Sequence, residues 1–388
     1  MTRNPEFLIV AGEVSGDMHA ASLIRALKGH FPGARVYGIG GERLRALGAE
    51  TLYDVKDMAV MGFTEVLRRL PFFRKAFHDV LALALQRRPD AVILVDYPGF
   101  NLRLAAKTHA AGLKTIYYIC PQVWAWNRQR IPKMASIVDL LLAIFPFEKQ
   151  VFAGTPLRVE FVGHPLIDEI HEALAEPLQD LPWTGAPRIA LLPGSRTQEI
   201  RRILPCLCEA AALIERQHPT ASFLIPTPSA ESEHLVRTTL ATLPVKPSRL
   251  AVVTGQTRQV LRQARAALVT SGTATLESAL LGCPTVVVYR TSPLTYLLGK
   301  HLVRVPHIGI VNVIAGKRIS PEFIQESATP TNLAAALIPL LDDAPPRRTM
   351  LQGFAEVKAL LGHGGAATQA ANLIARELKE HAPCPPSD

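Results

Sequence analysis

Phe7-Leu8-Ile9-Val10-Ala11-Gly12-Glu13-Val14-Ser15-Gly16-Asp17 opens the chain with an apolar run, a glycine and short polar residues, before a helical stretch from about Met18 to Lys28. Arg188-Ile189-Ala190-Leu191-Leu192-Pro193-Gly194-Ser195-Arg196 repeats the pattern ahead of a helical stretch from about Thr197 to Gln217. An apolar run with no polar face, closed by Gly and followed by helical periodicity, reads as a parallel strand covered by helices on both sides. Working outward from the first opening, Val36–Ile39, Ala91–Val95, Thr115–Ile119, Leu140–Ile144 and Val159–Val162 carry the same strand signal. Ser222–Ile225, Leu250–Thr254, Ala267–Thr270 and Thr285–Tyr289 continue it after the second. The fold class is therefore α/β, with two doubly wound, Rossmann-like domains joined near residues 165–187. We expect domains at 1–165 and 166–345, and a helical tail at 346–388 with a Gly-rich break at Gly362–Gly365, packing back on the sheets.

The 388 residues amount to about two to three domains at roughly 150 residues each. With 48% apolar and 19% charged residues, the chain has material for packed cores and is not a disordered one. No apolar stretch approaches the roughly 20 residues of a spanning helix. Glu13 follows the first apolar run at once, so no secretory signal is read. The five cysteines are odd in number and show no C-x-x-C or Cys/His ligand spacing, which points to a reduced, cytoplasmic setting without disulfides or zinc. The balance of 42 basic and 33 acidic residues, net +9, favours anionic partners such as lipid headgroups or phosphorylated substrates. Aromatics are sparse at 6% and no basic tail occurs, so nucleic acid is the weakest of these partners.

In open α/β sheets ligands bind beyond the carboxyl ends of the strands. Two such domains facing each other place a cleft between the turns at Gly12, Asp96, Gly194 and Ser271. The first turn lacks G-x-G-x-x-G spacing and no Walker A motif occurs, so neither a dinucleotide cofactor nor ATP hydrolysis is expected. No D-x-D triplet is present to hold a metal on a nucleotide diphosphate. Ser271-Gly272-Thr273 ends an apolar strand and starts a helix carrying Glu277. Backbone amides and the positive helix end there suit a phosphate, and Glu277 suits ribose hydroxyls. The same Ser-Gly-Thr reads equally as a plain helix cap. Gly194-Ser195-Arg196 makes a similar offer with a guanidinium that forks onto phosphate oxygens, or is an ordinary surface turn. Asp96, held between a buried strand and Pro98-Gly99, is placed to act as a general base or to cap the next helix. Trp124, Asn127 and Arg128 follow another strand end. They wall a sugar or acyl site, with Arg128 toward a phosphate, or belong to core and rim. Phe63, Val66, Leu67, Leu70 and Phe73 recur at helical spacing among Arg68, Arg69, Arg74 and Lys75. This reads as an interfacial membrane patch bent at Pro71, or as a core-facing helix.

Taken in order, Gly12-Glu13-Val14-Ser15-Gly16-Asp17, Asp96-Tyr97-Pro98-Gly99-Phe100-Asn101, Pro121-Gln122-Val123-Trp124-Ala125-Trp126, Val162-Gly163-His164-Pro165, Leu192-Pro193-Gly194-Ser195-Arg196, Ser271–Glu277 and Pro321-Glu322-Phe323-Ile324-Gln325 closely resemble the lipid-A-disaccharide synthase family. The resemblance covers roughly residues 7–325. It implies a GT-B, inverting, metal-independent glycosyltransferase that moves 2,3-diacylglucosamine from UDP to the 6-hydroxyl of 2,3-diacylglucosamine 1-phosphate (lipid X). The products would be the β(1→6) disaccharide 1-phosphate and UDP, made at the inner face of the Gram-negative inner membrane. Asp96 is then the base, and Gly194, Ser195, Arg196, Ser271, Gly272, Thr273 and Glu277 bind UDP. Glu13 and Ser15 line the acceptor side. Asn312 joins the donor site, although Ile310-Val311-Asn312 stands where the family often has Leu-Pro-Asn. Anionic inner-membrane lipids are the implied surface, and the strandless tail leaves a homodimer open. Two other readings share the frame. One is another GT-B UDP-amino-sugar enzyme, either a peptidoglycan-type glycosyltransferase or a UDP-sugar epimerase. The other is a non-catalytic nucleotide-sugar binding protein on the membrane.

Overall fold

The computed structural model describes residues 4–58, 68–292, 296–297 and 305–380. Phe63, Val66 and Leu67 lie outside the described residues. The chain divides into two compact units, Met1–Pro165 with Gly362–Asp388, and Leu166–Leu361.

The first unit holds seven parallel strands: β1 (Glu6–Ala11), β2 (Arg35–Gly40), β3 (Glu50–Asp54), β4 (Ala91–Val95), β5 (Thr115–Tyr118), β6 (Leu140–Ala143) and β7 (Arg158–Phe161), in the order β3-β2-β1-β4-β5-β6-β7. β1, β4, β5 and β6 are buried at every position, as strands covered on both faces must be. Helices α1 (Val14–His30), α2 (Leu70–Arg87) and α3 (Pro98–Ala110) serve this sheet. Strand order reverses between β1 and β4, whose register runs from Phe7 opposite Ala91 to Ala11 opposite Val95. The chain therefore leaves both strands side by side, with Gly12-Glu13 on one and Asp96 on the other. That reversal is where doubly wound sheets open a crevice.

The second unit repeats the scheme with β8 (Arg188–Leu192), β9 (Ser222–Thr227), β10 (Leu250–Thr254), β11 (Ala266–Thr270), β12 (Thr285–Tyr289) and β13 (Glu322–Ile324), ordered β10-β9-β8-β11-β12-β13, all parallel. Its reversal lies between β8 and β11, where Leu192 stands opposite Val269. The turns at Gly194 and Ser271 leave from these two strands. Helices α4 (Thr197–Gln217) and α5 (Thr273–Leu280) begin there, and α6 (Pro345–Leu360) packs on α5.

Two strands have no counterpart in the sequence pattern. β3 is an edge strand, Glu50-Thr51-Leu52-Tyr53-Asp54, with no fully buried position, so it lacks an apolar run. β13 is a three-residue edge. Pro71, read as a bend, sits instead in the first turn of α2, where its missing N–H is no loss. The segment read as one tail also divides. α6 belongs to the second unit, whereas α7 (Ala366–Glu380) returns to the first and packs along α1. There the buried carboxylate of Glu377 meets Lys114 Nζ at 2.9 Å and an Arg158 guanidinium nitrogen at 2.8 Å.

Candidate active site

At the β1/β4 reversal, Asp96 and Tyr97 both adopt left-handed backbone, with φ of 45° and 47°. For residues with a Cβ this costs roughly 1–2 kcal/mol each, so neighbouring groups have to hold it. The Asp96 carbonyl accepts from Tyr117 Oη at 2.5 Å and from Asn101 Nδ2 at 2.8 Å, and its N–H donates to the Tyr118 carbonyl at 3.0 Å. Tyr117 and Asn101 are themselves fully buried. The Tyr97 ring lies over Gly12 so closely that a Cβ there would fall inside it. Gly12 is thus required by Tyr97, not by a ligand. Asp96 is exposed at this strand end. Desolvation, then the charge of Glu13, push its carboxyl up to about 6. Such a group is ionised near neutral pH and basic enough to take a proton. Glu13 and Ser15 stand exposed on the first turn of α1 and just before it.

The loop after β5 differs from its sequence reading. Trp124 is 5% exposed, its indole N–H donates to Glu148 at 3.1 Å, and Phe147 meets it edge-on at 4.9 Å. It is a core residue and walls no site, because the only polar atom of its ring is spent inside. Asn127 is half-buried and Arg128 exposed on the same loop. Glu148, which no sequence signal marked beyond a charge just past an apolar strand, is fully buried. It also accepts from the Ile144 and Phe145 amides at 3.1 and 3.0 Å. Burial pushes its carboxyl up to about 7 against these hydrogen bonds.

In the second unit, Gly194, Ser195, Arg196, Ser271, Gly272, Thr273 and Glu277 line one cavity of about 320 Å³. Gly194 needs its glycine twice over: its φ is 101°, and a Cβ would strike the Glu199 carboxylate. At Gly272 the space beside the backbone is open. Amides at the start of a helix and a guanidinium, here those of α5 and Arg196, are groups that suit an anion. Three neighbours were not foreseen. Glu199, in the first turn of α4, meets an Arg196 guanidinium nitrogen at 3.2 Å and accepts from the Arg196 amide at 3.4 Å. Arg258 Nε meets Glu277 at 3.0 Å while the same guanidinium pairs with Glu169, so Glu277 is oriented from behind. Ser271 donates its hydroxyl to the Ile308 carbonyl at 2.9 Å. Glu199 had one visible signal, its place three residues after the helix start. Arg258 and Ile308 come from distant sequence and had none.

Asn312 is the correction on the donor side. It is fully buried, its amide nitrogen donates to Ser320 O and Glu322 Oε1 at 2.8 and 2.7 Å, and its oxygen accepts from the Ile319 and Ser320 amides. Nothing is left for a ligand. Glu322 in turn accepts from the Ile308 and Gly309 amides, so this pair shapes the loop that Ser271 holds.

Of the residues read as a membrane patch, Leu70 and Phe73 are half-buried on α2 and line a cavity of about 750 Å³ in the first unit.

Two doubly wound sheets, one with an exposed carboxylate and the other with a cavity at equivalent strand ends, give the frame of an enzyme of the GT-B class. Solved structures agree on the fold. A putative UDP-N-acetylglucosamine 2-epimerase from Listeria monocytogenes aligns with a TM-score of 0.65 at 14% identity, covering 98% of both chains. The glycotransferase of kitacinnamycin aligns at 0.64 and 17% identity, covering 97% of this chain and all of that one. The chain belongs to the lipid-A-disaccharide synthetase family, whose model matches residues 7–374. The lipid-A-disaccharide synthase of Myxococcus xanthus is 39% identical over 379 residues, spanning 96% of this chain and 98% of that one. That of Anaeromyxobacter sp. (strain K) is 40% identical over 371 residues, spanning 95% and 96%. This is a glycosyltransferase with a sugar nucleotide and a lipid as substrates. Among the described residues no helix is long and apolar enough to cross a membrane.

Proposed function

We propose that the chain transfers 2,3-diacylglucosamine from UDP to the 6-hydroxyl of 2,3-diacylglucosamine 1-phosphate in one inverting displacement. Asp96 takes the hydroxyl proton as its oxygen attacks the anomeric carbon. The bond from that carbon to the diphosphate oxygen breaks, and the electron pair leaves with UDP. Arg196 and the amides at the start of α5 offset the departing charge, so no metal is called for. Glu277, steadied by Arg258, takes the ribose hydroxyls. Arg128 and Asn127 lie on the acceptor side. Ordinary surface positive charge, net +9 over the chain, holds the protein on anionic lipid at the inner membrane face.

The observation that carries this reading is the strained Asp96 at the β1/β4 reversal, with its carboxyl raised to about 6. Strain of this kind persists only where the surroundings enforce it, and it gathers at functional positions. The test is UDP release by pure protein given both acylated sugars, with the anomeric configuration of the product read by NMR. Release that depends on the acceptor and gives a β linkage is expected, undiminished by chelator. UDP release without the acceptor would return the chain to the epimerase reading. Loss of activity on chelation, restored by magnesium, would overturn the leaving-group account.

A further inference from the structure

A cavity of the first unit, lined in part by Tyr97, has no part in the displacement just described. Its apolar wall is Leu70, Phe73 and Phe77 of α2 together with Tyr97 and Phe100 at the start of α3. Phe77 and Phe100 meet edge-on at 5.7 Å, and Tyr97 packs on Phe100 at 6.2 Å, so the wall is a continuous set of rings. Arg74, one residue beyond Phe73, and Arg103, one turn beyond Phe100, are exposed at the same cavity. An apolar hollow with two guanidiniums beside it matches an alkyl chain attached to an anionic head. At about 750 Å³ it is of small-ligand size. Tyr97, which lines this space, follows Asp96 directly in the chain, so the cavity lies on the same side of the unit as the proposed base.

We propose that this cavity takes an acyl chain of the acceptor sugar, that Arg74 and Arg103 receive its phosphate, and that Gly99 sets how deep the chain enters. The inference rests on the transfer reading above and goes beyond it by assigning the chain a site within the protein, separate from the bilayer. Gly99 lines the cavity, and a Cβ built on it meets nothing within 4 Å. It sits in the first turn of α3 without left-handed backbone, so larger residues are tolerated there and their side chains occupy space the acyl chain would use.

The experiment is acceptor-dependent UDP release by the full chain and by Gly99→Leu, with acceptors of graded acyl length dispersed in detergent. Flotation with anionic phospholipid vesicles is measured in parallel. Each methylene kept out of an apolar site loses about a factor of four in affinity. Gly99→Leu is therefore expected to lose roughly 60-fold in kcat/KM on the longest acceptors, for about three displaced methylenes, and little on the shortest. Vesicle binding should be unchanged. Gly99→Ala gives a smaller shift of the same kind and serves if the leucine variant does not fold. Arg103→Gln should raise KM for the phosphorylated acceptor and leave UDP affinity alone. An equal loss at every chain length would overturn the proposal. So would an unaltered length profile with weakened flotation, which assigns the cavity to a bilayer lipid. Wild-type protein that releases no UDP with any acceptor would instead sink the transfer reading itself, and the two failures are thereby told apart.

Discussion

In the proposed transfer Asp96 acts only when ionised, and its carboxyl is raised to about 6 first by desolvation and then by Glu13. The rate should accordingly fall as pH drops through about 6. Glu13→Gln removes the neighbouring negative charge, so the acid limb of the kcat/KM profile should move to lower pH. Asp96→Asn should lose about 100- to 10,000-fold in turnover while UDP still binds by calorimetry. Near-normal turnover in that variant would remove Asp96 from the mechanism. Glu148 makes a separate statement about stability. Its folded carboxyl titrates at about 7 against a reference of 4.5, so the folded state binds the proton more tightly. This contribution to stability is fully present below about 4.5 and is lost as pH rises through about 7. Glu148→Gln should flatten the pH dependence of the urea midpoint across that window. An unchanged slope would mean that the buried carboxylate is not the titrating group.

Among the elements, the strand-end turns do the placing, and their glycines have different causes. Gly194 is needed for its own φ of 101° and for the Glu199 carboxylate packed on it. Gly12 is needed because the Tyr97 ring occupies the space of a Cβ. Gly12→Ala should therefore destabilise the first unit by about 1–3 kcal/mol. It should also cut turnover through displaced Tyr97 and Asp96, with UDP affinity intact because the proposed UDP cavity lies in the other unit. Urea denaturation and UDP calorimetry on the same variant check both halves, and weakened UDP binding would contradict this division. The Gly-rich turns were legible from sequence because strand, glycine and helix are consecutive. The carboxylates behind them were not. Glu148 reaches Trp124 across 24 residues, and Arg258 reaches Glu169 across 89.

The whole molecule is two doubly wound units, and the chain returns to the first after finishing the second. α7 lies along α1, and Glu377 ties it to Lys114 and Arg158. Ending the chain at Leu361 should expose the covered face of α1 and leave Lys114 without its carboxylate. The first unit should then melt several degrees lower, read by differential scanning calorimetry, while the second unit and its UDP affinity are preserved. Equal loss in both units would mean that α7 is not confined to the first. Peripheral attachment by net positive charge also predicts that vesicle binding weakens as salt is raised, since exposed charges are screened beyond about 8–10 Å at physiological ionic strength.

Periodicity alone determined the two parallel sheets, their opening turns and the residues at the strand ends. Central strands must be apolar throughout, and helices must follow them in the chain. Two of the four edge strands, β3 and β13, escaped it because they carry no apolar run, whereas the edges β7 and β10 carry the strand signal. Only the tertiary structure decided that Asn312 and Trp124 are internal, that Arg258 steadies Glu277, that Leu70 and Phe73 line a cavity, and that α7 crosses back. Each of these depends on which distant groups arrive to satisfy a buried polar atom or fill a volume. Contacts of that kind have no period to read.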